Sequence, residues 1–116
     1  MEKNKIYFDE FHIAGREYHD ANEAWKCLAI GTKLKLVRDA DNRYDSEAVA
    51  VTYLNEEGEE FVLGYVPRGH NSEIAKVLDM DWGDMFDLTL SQIDGSKHYE
   101  QQLRATLKIV RRESDE

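Results

Sequence analysis

The sequence predicts a mainly β fold: a small antiparallel six-stranded barrel carrying two short helices. Three observations lead there. Six short segments alternate apolar and polar residues, as strands with one wet face do. Only two segments repeat apolar residues at helical spacing, too few to supply the crossovers that parallel strands need. Closing or nearly closing such a sheet also removes its edge strands.

Ile6 to Ala14 reads as the first strand, with Tyr7, Phe8 and Phe11 as its apolar bulk, and Gly15 marks a bend. Asp20 followed by Glu23 resembles a capping box opening a short helix. Ala21, Ala24, Trp25 and Leu28 give that helix its apolar side, and Gly31 falls where a left-handed C-cap is expected. Lys33 to Arg38 alternates cleanly, with Leu34 and Leu36 on one face and Lys33 and Lys35 on the other. A polar turn, Asp39 to Asp45, leads to a strand from Ala48 to Leu54. Asn55 to Gly58 closes a hairpin into Phe61 to Val66, which Pro67 ends. Asn71 or Ser72 is the expected N-cap of a second helix, whose stripe is Ile74, Ala75, Val77 and Leu78. Phe86, Leu88 and Leu90 alternate in a fifth strand, and Leu103, Ala105, Leu107 and Ile109 in a sixth. The expected organisation is one domain over 6–110, with residues 1–5 and the charged tail 111–116 fraying.

With 15 basic against 24 acidic residues the formal charge is −9. Proteins that grip duplex DNA through many phosphates are usually basic, so a nucleic-acid contact in this chain has to be local: a few arginines, stacking rings and hydrogen bonds in one patch. Cys27 is the single cysteine, which precludes an intrachain disulfide and leaves no thiolate set for zinc. It is read as a small packed side chain on the apolar side of the first helix. No stretch approaches the roughly 20 apolar residues of a membrane span, and no signal core follows the charged start. A reducing cytoplasm is the expected address, with no membrane partner.

Catalysis finds little support. His12, His19, His70 and His98 are scattered, without metal spacing, and no nucleophile elbow or phosphate loop is present. A binding module without cofactor or metal is expected rather than an enzyme. The turn Asp39-Ala40-Asp41-Asn42-Arg43-Tyr44-Asp45 fails as a calcium loop, because its fifth, sixth and twelfth positions are Arg43, Tyr44 and Ala50. It has two remaining readings. Asp and Asn are turn formers, and Asp45 can cap the turn's backbone. Equally, Tyr44 and Arg43 offer a ring and a planar cation that stack on bases, beside the short polar groups of Asn42 and Asp45.

Three stretches are familiar. Ile13-Ala14-Gly15-Arg16-Glu17-Tyr18, the run from Leu34 to Val51, and Leu63-Gly64-Tyr65-Val66-Pro67-Arg68 resemble the HIRAN domain family. That family has a Gly-x-x-Tyr element, an Arg-Asp/Glu-Pro-x-Asn-Pro-Tyr-Asp block and a Leu/Val-Gly-Tyr/His-Val/Leu-Pro-Arg/Lys strand end. The likeness covers about residues 6 to 93, and the run Asn71 to Asp79 resembles the helix that follows in stand-alone bacterial members. It implies an OB-like or SH3-like barrel that binds nucleic acid, single-stranded DNA in particular. A eukaryotic member that precedes a helicase motor captures a 3′ end. By resemblance, Arg16 and Arg68 contact phosphates, Tyr44 stacks on the terminal base, Asp45 bonds the 3′-hydroxyl, and Asn42 holds the loop or touches the base. Tyr18, Arg38, His70 and Asn71 are further candidates for the same surface. Two departures stand out: Ala40 and Arg43 replace prolines, which predicts a less rigid loop, and Glu17 stands where a second stacking aromatic is expected. No ATPase motif is present, so helicase or nuclease action would come from a partner. The alternative is a protein-interaction module recruiting such a partner, which the acidic segments 55–60 and 79–87 favour. A hydrolase with metal on Asp39, Asp41 and Asp45 ranks last.

Overall fold

The computed structural model describes residues 4–111. Its strands are β1 (Lys5–His12), β2 (Lys33–Arg38), β3 (Val49–Leu54), β4 (Glu60–Tyr65), β5 (Phe86–Ile93) and β6 (Leu103–Val110). They pair antiparallel in the order β1-β6-β5-β2-β3-β4. β2 changes partners part-way: Lys33 and Leu34 face β5, whereas Lys35 to Arg38 face β3. The sheet therefore turns a corner along β2. Its two end strands do not form a continuous ladder. A single bridge joins the chain just past β1 to the end of β4, where the Ala14 and Tyr65 backbones exchange two hydrogen bonds of 2.8 Å. The barrel is thus sealed at one point and otherwise open.

Alternation places the core as read: Leu34, Leu88, Leu90, Leu103, Ala105 and Leu107 are buried together with Val49, Val51 and Leu63, and Ile74 and Ala75 of helix α2 (Ser72–Asp79) join the same cluster. Burial of such side chains contributes roughly 1.5–3 kcal/mol each relative to exposure. β3 departs from alternation, with all four residues from Val49 to Thr52 buried. β1 departs the other way: Phe11 is buried, while Ile6, Tyr7 and Phe8 are exposed. The strand begins at Lys5, whose ammonium meets Asp87 at 2.9 Å, and the Asn4 carbonyl accepts from the Arg111 amide at 3.0 Å. Residues 1–3 and 112–116, the rest of the segments expected to fray, lie outside the described residues.

The first helix is shorter than its spacing predicts. α1 (Ala21–Ala24) gives way to a 3-10 turn over Trp25–Cys27. Asp20 does not cap it: its amide donates to the Val62 carbonyl at 2.7 Å and its carboxylate accepts from the Val62 amide at 3.4 Å. The outer edge of β4 needs partners, and Asp20 supplies them. Gly31 is left-handed as expected but caps no helix; its amide bonds the Leu90 carbonyl at 2.7 Å. Cys27 is exposed rather than packed, because the 3-10 turn rotates it off the apolar side. No described helix is long and apolar enough to cross a membrane.

Gly64 sits beside the sealing bridge, where the β3–β4 register shifts. A Cβ there would overlap the Ala14 carbonyl oxygen and come within 2.6 Å of Ile13 Cγ2. Gly64→Ala is expected to destabilise the fold by about 2–4 kcal/mol, by overpacking against backbone that cannot yield. Gly58→Ala, left-handed but in open space, should cost only about 1 kcal/mol. Urea unfolding of both variants tests the difference.

Candidate nucleic-acid interface

The loop joining β2 to β3 is held by its own polar groups. Asn42 Oδ1 accepts from the Tyr44 amide at 2.8 Å and the Asp45 amide at 3.1 Å. Its Nδ2 donates to Asp39 Oδ2 at 3.2 Å, which also accepts the Tyr65 hydroxyl at 2.7 Å. Asp45 Oδ1 accepts from the Glu47 amide and Oδ2 from Asn71 Nδ2, both at 2.9 Å. Arg68 completes the frame, its Nε 3.6 Å from Asp45 Oδ2 and its Nη2 donating to the Tyr44 carbonyl. Where the prolines of the resemblance are missing, this mesh supplies the restraint.

Two carboxyl groups are shifted by it. The Tyr65 hydroxyl, then Asn42, hold Asp39 below the usual carboxylate range. The Glu47 amide does the same for Asp45 against the opposing effect of burial, with Asn71 and the charges of Arg68 and Arg38 adding to it. Burial and the bond to Asp39 push the Tyr65 phenol upward, so it stays a proton donor.

Between this loop and the 3-10 turn over Arg16–Tyr18 lies a cleft of about 480 Å³. One wall carries Asn42, Tyr44 and Asp45; the other carries Tyr18 and His19. The floor is Ala14, Ala48 and the stretch from Tyr65 to Arg68. Tyr18 and Tyr44 are 77% and 79% exposed, so both rings are open to a ligand. Glu17 is not among the lining residues, and the next residue brings a second ring to the cleft.

Of the nine residues singled out in the sequence, Tyr18, Asn42, Tyr44, Asp45 and Arg68 line this cleft. Asn71 stands directly behind Asp45; it occupies the N-cap position of α2, but its side chain is spent on the loop. Arg38 is a strut, binding the Ala48 and Ser46 carbonyls at 3.0 and 2.8 Å and Asp79 at 3.0 Å. His70 pairs with Asp9 at 2.8 Å and lies outside the cleft lining. Arg16 does not join the patch. Only 5% exposed, its guanidinium lies between Trp25 and Tyr99, 4.8 and 5.1 Å from their ring centroids, and donates to Asn22 at 2.8 Å. The sequence reading missed His19 and Tyr65 as lining residues, and Asp39 as the anchor of Asn42. Among the described residues no His, Cys, Asp and Glu cluster could hold a metal ion.

The pattern that defines the HIRAN domain matches residues 6–109. The chain belongs to the HIRAN domain family. HIRAN domains are nucleic-acid-binding modules rather than catalytic ones. A rice protein (Oryza sativa subsp. japonica) described as a Fanconi-associated nuclease 1 homolog is 41% identical over 66 residues, 57% of this chain. The chain spans about 6% of that relative's length. A crystal structure of a protein from Lactobacillus plantarum superposes with a TM-score of 0.71 at 23% identity, covering 93% of this chain and 97% of the other. The HIRAN domain of human HLTF superposes at 0.56 and 16% identity, covering 95% and 84%. Both likenesses are of fold.

Tyr65→Phe removes the largest influence on Asp39, so its carboxyl should titrate closer to the ordinary value near 3.9. Because the folded-state value is depressed, the stabilisation is present above the unfolded value and lost as pH falls through the folded one. The wild type should therefore exceed Tyr65→Phe in stability at neutral pH, by a margin that narrows below about pH 4. Carboxyl NMR titration and melting between pH 2 and 6 check both expectations.

Proposed function

We propose that the cleft receives the end of a single strand, DNA in preference, and that Asp45 accepts the terminal 3′-hydroxyl. The observation that carries this reading is Asp45 itself. It is an ionised carboxylate fixed by the Glu47 amide and Asn71, on the wall of a cleft flanked by two open tyrosine rings. A carboxylate in that position accepts a hydroxyl proton and repels a phosphate. Tyr44 and Tyr18 offer faces for an unstacked base, and Arg68 a guanidinium at the rim for the backbone. As a binding module, the domain would hold the strand for a nuclease or helicase, in the same polypeptide or another, to act on.

Fluorescence anisotropy at low salt should show a 3′-hydroxyl oligonucleotide binding at least about tenfold more tightly than its 3′-phosphate counterpart. Asp45→Asn should shrink that preference. Tyr44→Ala should weaken binding of the hydroxyl end by roughly 5- to 100-fold, the range for losing one base stack. Equal affinity for the two ends would remove the hydroxyl assignment, and absence of binding would remove the cleft as a nucleic-acid site.

A further inference from the structure

A half-buried imidazole in the cleft is left without a hydrogen bond among the described residues. His19 is half-buried, its ring lies against Tyr65 with centroids 5.3 Å apart, and it lines the wall that carries Tyr18. Among the described residues neither imidazole nitrogen takes part in a hydrogen bond, whereas Asn42, Asp45, Tyr65 and Arg68 are all tied into the loop frame. The stack on Tyr65 fixes the plane of the ring while leaving its nitrogens for something else. A half-buried donor and acceptor without a partner loses its water when a ligand fills the cleft, so a ligand that bonds it is favoured over one that does not.

The distribution of charge says which ligand group it meets. The loop wall holds the carboxylate, with Arg68 as its neighbour. On the side of Tyr18 the arginine expected to meet phosphate, Arg16, is withdrawn from the cleft and enclosed between Trp25 and Tyr99, and the exposed Glu17 is not among the lining residues. Imidazole is then the one nitrogen side chain lining that wall. When a terminal sugar sets its hydroxyl on Asp45, the phosphate on its 5′ side is carried toward the other wall. We infer that His19 is a further ligand-binding residue of this domain, donating a hydrogen bond to the phosphate that links the terminal nucleotide to the strand. The assignment rests on the end-binding reading above.

A cycle tests it: wild type and His19→Phe, each titrated with an oligonucleotide carrying either a normal last linkage or an uncharged methylphosphonate there. Phenylalanine keeps a ring on Tyr65 and removes both nitrogens. The methylphosphonate is expected to cost the wild type about tenfold in affinity and the variant little or nothing, since a contact removed once cannot be removed again. His19→Gln, which retains a donor, should recover part of the loss and serves in place of the phenylalanine variant if that one melts early. Equal costs in wild type and variant, or undiminished binding by His19→Phe, would overturn the assignment while leaving the end-binding reading in place. If the wild type binds no strand but melts cooperatively, the end-binding reading fails and His19 has no phosphate to meet.

Discussion

Two hydrogen bonds between the Ala14 and Tyr65 backbones hold together what the rest of the ladder leaves apart. They bring the chain leaving β1 alongside the end of β4, and so set the turn bearing Tyr18 and His19 opposite the loop bearing Tyr44 and Asp45. Tyr65 then works in three directions. Its backbone makes the bridge, its ring supports His19, and its hydroxyl anchors Asp39, which in turn positions Asn42. Gly64 is the condition for all of this, since any side chain at that point would drive the two segments apart.

An acidic protein in a nucleic-acid-binding family needs its contacts to be short in range. Asp45 and Arg68 neutralise one another at the rim, Lys5 and Lys33 are both drawn to Asp87, and Arg38 is tied to Asp79. With 24 acidic against 15 basic residues, the summed charge repels a polyanion at a distance. What the cleft offers is aromatic surface and directional hydrogen bonds, which act only at contact range.

Much of the fold could be read from periodicity because β2, β5 and β6 bury every second residue over part of their length, at Leu34, at Leu88 and Leu90, and at Leu103, Ala105 and Leu107. β3 escaped that rule, since its outer face is covered as well as its inner one. The capping-box pattern at Asp20 misled because a nearby strand edge competes for the same carboxylate, a contact 42 residues away that local spacing does not contain. The loop was the most legible part of the site: Asn42, Tyr44 and Asp45 are adjacent in sequence and act together. Arg16 was the least legible. Whether an arginine faces solvent or enters a sandwich depends on Trp25 and Tyr99, which come from two distant segments.

Arg16 illustrates how a small domain can hold a charge in its interior. Enclosed by two π faces and donating to Asn22, its guanidinium meets no carboxylate among the described residues, and its Nε is buried without a hydrogen-bond partner. A charge enclosed in this way is screened less by salt than that of a surface lysine surrounded by counterions. An interior cation of this kind ties the turn after β1 to the separate segments bearing Trp25 and Tyr99, so that its removal would loosen three parts of the chain at once.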